Sequence, residues 1–255
     1  MRIISIINLK GGVGKTITAL EMGYILHHRY GQSVLLVDND KQGNLSRAMG
    51  KYDDDHMCAT AWLLSGEHIN DLKISTKDTL DIAPANMFLL TQTHRLIRRE
   101  GENVIGQYNS LRQALAEDGQ PYDYIIIDNP PDLELNVINA LMVTDDVIIP
   151  TRIDQWSLDG LKIIQEQIGG IKHYNPGINL IGILITMYRN NDVNAAGVEW
   201  LQEQGYKMFD EKIRYSEKVA ESIMMGKPLE EYSPRSAAAV SYRRFVEEYR
   251  RMVGE

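Results

Sequence analysis

The chain has one cysteine, Cys58, among its 255 residues. A disulfide framework within the chain is therefore excluded, and the composition fits a reducing cytosol. Long apolar runs are missing too. No stretch approaches the ~18 to 20 uncharged apolar residues of a membrane span, and the N-terminus enters a strand without a charged leader or cleavage site. These absences predict a soluble, cytoplasmic protein with no membrane partner. Basic residues are in the minority, 27 Lys and Arg against 35 Asp and Glu, for a net charge of −8. That balance opposes a nucleic-acid partner only weakly, because the local field at a docking face decides phosphate contacts. Acidic residues concentrate in Asp53-Asp54-Asp55, whereas Arg95, Arg98 and Arg99, then Arg243, Arg244, Arg250 and Arg251, make basic clusters. Such clusters are more often solvated helix faces than binding sites.

With 44% apolar and 24% charged residues, the chain can bury a full core as one α/β domain over residues 1–255. Short apolar strands alternate with helix-period segments, without internal repeats or low-complexity tracts. Strands are predicted near Arg2 to Asn8, Ser33 to Asp38, Leu80 to Ala83, Tyr124 to Asp128, Asp146 to Pro150 and Leu180 to Thr186. These Ile- and Val-rich runs lack polar alternation, as expected of strands covered on both faces, so the pattern reads as a doubly wound, mostly parallel sheet. Helices are predicted near Lys15 to Tyr30, Phe88 to Arg99, Tyr108 to Glu117, Leu158 to His173, Ala195 to Gln204, Glu217 to Met225 and Ala237 to Met252, with a hinge or loop at Gly101 to Gly106.

Between the first strand and the first helix stands Lys10-Gly11-Gly12-Val13-Gly14-Lys15-Thr16, followed by Ile17. Three glycines within four residues let the backbone adopt positive φ and turn its N–H groups towards an anion, and the next helix points its positive end at the same place. Lys15 adds a full charge for β- and γ-phosphates, and Thr16 a hydroxyl for Mg²⁺. The segment is a phosphate-binding loop, but an irregular one: Leu9 stands where the usual pattern has glycine, and Lys10 opens the motif.

Two further strands end in carboxylates, at the edge where ligands bind in this class of fold. Val34 to Val37 run into Asp38-Asn39-Asp40-Lys41-Gln42-Gly43-Asn44, and Tyr124 to Ile127 into Asp128-Asn129-Pro130-Pro131. Asp128 has the form of a Walker B residue, able to hold Mg²⁺ through water. The two prolines stop the strand and stiffen the turn beside the γ-phosphate position. Taken alone, an Asp-rich strand end more often caps a helix.

The Lys-Gly-Gly-x-Gly-Lys-Thr loop resembles the deviant Walker A motif of the family that includes ParA- and Soj-type partition ATPases, MinD and the nitrogenase iron protein. The resemblance implies a P-loop fold, ATP and Mg²⁺ as ligands, and a homodimer in which Lys10 reaches the partner's nucleotide. With one cysteine, the chain is excluded from the cluster-bridging iron proteins. Asp38 to Asn44 is similar to the Asp-x-Asp-Pro-Gln-Gly-Asn stretch of the ParA and Soj branch. That match makes Asp40 the residue that orients the attacking water and gives Asp38 a supporting place in the magnesium and phosphate shell. The resemblance thus implies catalytic roles for Lys10, Lys15 and Asp40, nucleotide contacts from Lys10 through Ile17, and metal contacts from Thr16, Asp38 and Asp128. Three positions depart from the family. Ile17 replaces a threonine and leaves only a backbone N–H for the α-phosphate; Lys41 replaces a proline; Asn129 replaces a threonine and should alter tuning without loss of activity.

Ile213-Arg214-Tyr215-Ser216-Glu217, Gly226-Lys227-Pro228 and Tyr232-Ser233-Pro234-Arg235-Ser236 are similar to C-terminal stretches of Soj-like proteins, so the resemblance covers nearly the whole chain. It implies that Arg214 belongs to a surface for sequence-independent binding of double-stranded DNA, with Arg189 a substitute for a further family arginine. The plainer reading of Arg214 pairs it with Glu217 across a helical turn. Tyr242, Phe245, Val246, Tyr249 and Met252 make the last helix amphipathic. MinD-like relatives end in a membrane-targeting helix, but Glu247 and Glu248 interrupt the basic face here and packing on the domain is the expectation. Three functions follow in order: a nucleoid-associated partition ATPase released from DNA by a ParB-like partner, a MinD-like positioning ATPase, and an ATP-using ligase on the same fold. No helix-turn-helix region is read before the first strand, so operator binding is not expected.

Overall fold

The computed structural model describes residues 1–67, 69–72, 80–97, 111, 114 and 122–255. Its sheet contains β1 (Arg2–Ile6), β2 (Val34–Asp38), β3 (Leu80–Ala83), β4 (Tyr124–Asp128), β5 (Asp146–Arg152) and β6 (Asn179–Thr186). Their spatial order is β3-β2-β4-β1-β5-β6, and every neighbouring pair is parallel. The helices among the described residues are α1 (Lys15–Tyr30), α2 (Asn44–Ala48), α3 (Ala59–Leu64), α4 (Phe88–Ile97), α5 (Leu135–Val143), α6 (Gln155–Ile171), α7 (Asp192–Glu203), α8 (Lys218–Met224), α9 (Leu229–Tyr232) and α10 (Ala237–Met252). The α/β, doubly wound class read from the sequence is the one found. The predicted Gly101 to Gly106 loop, Arg98 and Arg99, and the predicted Tyr108 to Glu117 helix lie outside the described residues, except that Leu111 and Ala114 are helical and buried.

The strands carry apolar residues on both faces because each face has its own layer of helices. Ile4 and Ile6 of β1, Leu36 of β2 and Ile126 of β4 pack with α1 and α10 in one core. Their neighbours turn the other way: Ile7 joins Val147, Leu141 and Ile164 on the side of α5 and α6, and Ile3, Leu35, Val37 and Ile125 form a third cluster. Side chains alternate with the two-residue strand period, yet the sequence shows no alternation in polarity.

In α10, Tyr242, Phe245, Val246 and Tyr249 are buried against α1, and only Met252, at the end of that stripe, is exposed. The apolar face is thus used inside the fold, as expected. Two of the C-terminal arginines have local work as well: Arg243 bonds Glu230 at 2.6 Å, and Arg250 lies 4.0 Å over the Tyr30 ring. Among the described residues no helix is long and apolar enough to cross a membrane. Helix α5 was not predicted. Its sequence Leu-Asn-Val-Ile-Asn-Ala-Leu-Met-Val is buried almost all round, and a run without a polar face carries no helical period.

The connections place the site. From β1 the chain crosses one face through α1 to β2, and from β5 it crosses the other face through α6 to β6. Adjacent strands whose outgoing connections diverge leave a crevice at their carboxyl ends, where ligands bind in open α/β sheets. Lys10, after β1, and Asp154, after β5, form an ion pair across that crevice.

Candidate nucleotide site

The loop from Asn8 to Thr16 is built by its own backbone. Asn8 is fully buried; its Nδ2 donates to the Pro150 carbonyl at 2.8 Å and its Oδ1 accepts from the Lys10 N–H at 2.9 Å, which ties the start of the loop to the end of β5. Gly14 is the N-cap of α1, with φ of 90°. That left-handed conformation leaves the first-turn N–H groups of α1 without side-chain acceptors and open to an anion. At Gly11 a Cβ would meet nothing within 4 Å. Gly11 is exposed, so the space over the loop is open to a ligand. On the far side, the Thr186 hydroxyl at the end of β6 donates to the Val13 carbonyl at 2.8 Å.

Lys15 is 8% exposed, and its ammonium donates to the Lys10 carbonyl at 3.0 Å. Burial pushes its pKa down, and the charges of Asp128, Asp40 and Asp132 oppose that shift. A buried ammonium facing three carboxylates and its own loop is the arrangement that a polyphosphate would complete.

Asp38 and Asp128 sit at matching positions of paired strands, and Ile6, the last residue of β1, is in register with Asp128. The two carboxylates have different surroundings. Asp38 is fully buried and well partnered: it accepts from the Ser46 N–H at 2.8 Å, the Ser46 hydroxyl at 2.7 Å and the Asp40 N–H at 3.1 Å. Burial nevertheless raises its pKa to about 6, against those bonds. Both oxygens of Asp128 are buried and make no well-formed hydrogen bond among the described residues, the Thr16 hydroxyl approaching them without bonding geometry. Its pKa is raised well above the ordinary carboxylate value, first by burial and then by Asp38, with the nearby Thr16 hydroxyl and Lys15 only partly offsetting this. An orphaned buried carboxylate normally has an unseen partner. A hydrated Mg²⁺ between Thr16 and Asp128 would be one, because Mg²⁺ keeps several waters and needs few protein ligands. Asp38, of the three residues implied for the metal, spends its oxygens on positioning the loop.

That loop carries Asp40. Asp40 accepts the Gln42 N–H on its side chain at 2.9 Å and the Gly43 N–H on its carbonyl at 2.8 Å, which closes a tight turn. Gly43 has φ of 64°, and a Cβ there would come within 2.4 Å of Tyr52 and 2.8 Å of the Ala85 carbonyl, so no other residue fits. Lys41, where the family proline was expected, places its ammonium 3.7 Å from Asp132 and 3.3 Å from Glu134. A paired lysine thus links the loop after β2 to the loop after β4.

A cavity at this site was not read from the sequence. Beside Gly14 and Ile17 lies a largely apolar cavity of about 330 Å³, lined by Thr186, Met187, Ile213, Tyr215, Val219 and Tyr242 among others. Its size suits a nucleobase stacked at the end of the phosphate loop. Met187, on its wall, is the one non-glycine residue with positive φ (52°) among the described residues, and such strain concentrates at ligand sites. The same segment gathers the two arginines proposed for DNA. Tyr188 and Arg214 form a bridge, and the Arg189 guanidinium lies 3.7 Å over the Tyr215 ring. Arg214 is exposed and no Arg214–Glu217 ion pair exists among the described residues; Arg214 precedes α8 rather than sharing a helical turn with Glu217.

The profile of the AAA domain family matches residues 1–180. The sporulation initiation inhibitor protein Soj of Bacillus subtilis is 35% identical over 250 residues, covering 94% of this chain and 95% of that protein. The chromosome-partitioning ATPase Soj of Thermus thermophilus is 34% identical, covering 100% of this chain and 98% of that one. The chain belongs to the ParA/Soj family of P-loop ATPases. Its fold is also that of a crystal structure of cobyrinic acid a,c-diamide synthase from Mycobacterium smegmatis with bound ATP analogue and magnesium, at 26% identity and a TM-score of 0.81, covering 100% of this chain and 96% of that one. In this ParA/Soj member, Lys10 to Thr16, Asp40 and Asp128 converge on one crevice, whereas Asp38 stands behind them as their support.

Proposed function

We propose that this chain is an ATP-hydrolysing DNA-partition protein of residues 1–255 acting as a single domain. Two copies join around ATP, the joined form binds double-stranded DNA without sequence preference, and a ParB-like partner triggers hydrolysis and release. It works in the cytoplasm on the nucleoid. The observation that carries this reading is the buried Lys15 ammonium, held on the Lys10 carbonyl of the glycine loop and close enough to the buried Asp128 to feel its charge.

In this reading the N–H groups of Gly11 to Thr16 hold the β- and γ-phosphates, the Ile17 N–H meets the α-phosphate, and Lys15 leaves the Lys10 carbonyl for the γ-phosphate. Thr16 and Asp128 would hold the cation, with Asp38 fixing the adjoining loop, and Mg²⁺ would supply neutralisation of the phosphate charge. Asp40 accepts a hydrogen bond from the attacking water and sets its line of approach. Lys10 gives up Asp154 and crosses to the partner's site, adding a charge where negative charge builds up in the transition state. Hydrolysis then depends on dimerisation, and ATP joins the two subunits until it is cleaved.

The ParA and Soj names of the relatives support partition over the alternatives, as do Gln42-Gly43-Asn44. A MinD-like membrane role is disfavoured because the apolar face of α10 is already buried. Size-exclusion of the Asp40→Ala protein with ATP and Mg²⁺, with and without duplex DNA, tests the reading. A stable dimer that co-elutes with DNA is expected, and a monomer under all conditions, or a dimer that ignores DNA, refutes it.

A further inference from the structure

Three asparagines, Asn39, Asn129 and Asn136, meet behind the carboxylates and are 2%, 1% and 5% exposed. They come from the loop after β2, the loop after β4 and the start of α5. The Asn39 Nδ2 donates to the Asn129 Oδ1 at 2.9 Å and to the Asn136 carbonyl at 3.1 Å, and the Asn136 Nδ2 donates back to the Asn39 carbonyl at 2.8 Å. Main-chain bonds run alongside: the Asn39 N–H to the Asp128 carbonyl at 2.9 Å and the Asn129 N–H to the Ile6 carbonyl at 3.1 Å. The cluster is not explained as a stabilising core. The Asn136 Oδ1 is buried without a partner, the Asn129 Nδ2 reaches the Ile6 and Ile127 carbonyls only at 3.3 Å, and an incompletely satisfied polar cluster is worse for stability than apolar packing. Its placement is what is specific. Asn39 immediately precedes Asp40 and Asn129 immediately follows Asp128, so one amide–amide bond joins the backbone of the water-orienting carboxylate to that of the orphaned carboxylate.

We propose that Asn39 and Asn129, braced by Asn136, are positioning residues that fix Asp40 relative to Asp128 during hydrolysis. The inference rests on the proposed role of Asp40. It predicts an effect on turnover separate from nucleotide affinity, since the bonds of both amides go to Ile6, Ile127, Asn136 and each other and not to residues of the glycine loop.

The test compares Asn39→Leu, Asn129→Leu and the double variant in steady-state ATPase assays and thermal melts, with Asp40→Ala alongside. Each single change leaves a buried amide without its partner and should lower Tm; replacing both removes that unpaired amide and should recover part of the loss, the remainder reflecting the Asn136 carbonyl, which still lacks the Asn39 donor. Turnover should not follow: kcat is expected to fall about 10-fold or more in all three, with KM unchanged, because small misplacements of a catalytic group cost about this much. If Asn39→Leu and the double variant do not fold, Asn129→Leu, which leaves Asn39 its bond to the Asn136 carbonyl, decides alone: a kcat fall at unchanged KM supports the inference and a wild-type kcat overturns it. Recovery of kcat together with Tm in the double variant, or a wild-type kcat in both singles, overturns the inference. If Asp40→Ala is inactive while the double variant is fully active, only this inference falls; if Asp40→Ala turns over normally, the assignment of Asp40 itself falls and takes the network with it.

Discussion

Replacing Thr186 by valine removes one hydrogen bond and almost no volume. The Thr186 hydroxyl is its only polar group, it donates to the Val13 carbonyl at 2.8 Å, and the side chain is 2% exposed. Val13 is itself 1% exposed, so its carbonyl loses that donor where water does not readily replace it. Leaving a buried acceptor unpaired costs about 1–3 kcal/mol. Part of this falls on global stability, and part on the loop, which is then free to leave the conformation that presents Gly14 and the α1 N-terminus. If the loop carries about 1–2 kcal/mol of the cost and its competent conformation is only marginally favoured, that conformation is depopulated and apparent ATP affinity drops by up to roughly 5- to 30-fold. Titration of a fluorescent ATP analogue measures this directly, and Thr186→Ser, which keeps the hydroxyl, should stay within a few-fold of wild type. An unchanged affinity in Thr186→Val, or an equal loss in Thr186→Ser, would refute the claim that β6 holds the phosphate loop in shape.

Lys15→Ala should abolish ATP binding in the same titration, because the remaining loop offers only backbone dipoles. Arg214→Ala should weaken retention of duplex DNA by the ATP-bound protein while its elution as a dimer is unchanged; full retention would remove Arg214 from the DNA surface. Glu21 gives a pH prediction. It is completely buried, accepts the Leu229 and Glu230 N–H groups at 2.6 and 2.9 Å, and burial raises its pKa from 4.5 to about 7. A folded-state value above the unfolded one means that its contribution is full below pH 4.5 and is lost as pH rises through 7. Urea midpoints should therefore show wild type losing about 2 kcal/mol relative to Glu21→Gln between pH 5 and pH 8; parallel profiles would contradict the assignment.

How much of this was legible in the sequence depended on whether the parts were contiguous. Lys10 to Thr16 are adjacent residues between a strand and a helix, so spacing alone located the phosphate loop. Asp128 was found because a buried strand ends there at the ligand edge of such a sheet, and Asp38 and Asp40 took their roles from the resemblance of the stretch from Asp38 to Asn44 to the ParA and Soj branch. That Asp38 supports while Asp128 stands orphaned was not legible, since the difference lies in Ser46, whose N–H and hydroxyl both fold back on Asp38. The cavity beside Gly14 draws on residues near 14, 187, 213 and 242, and no local pattern joins them. The asparagine cluster escaped for the same reason: the pairing of β2 with β4 brings Asn39 to Asn129, 90 residues away. Lys41 was read only as the replacement of a proline, because its acidic partners, Asp132 and Glu134, are also distant in sequence. Helix α5 was missed for the opposite reason, since a segment buried on all sides has no periodic signal to read.

The central claim is that Lys10 works on the partner's nucleotide and leaves its own pair with Asp154 to do so. Mixing two inactive proteins measures this most directly. Lys10→Ala and Asp40→Ala are combined before ATP is added, and phosphate release is followed with DNA present. In a mixed dimer the Lys10→Ala subunit keeps its own Asp40 and receives Lys10 from the other subunit, so one intact site forms and activity returns in the mixture. A mixture as inactive as its components, or a Lys10→Ala protein that hydrolyses ATP unaided, would contradict the account.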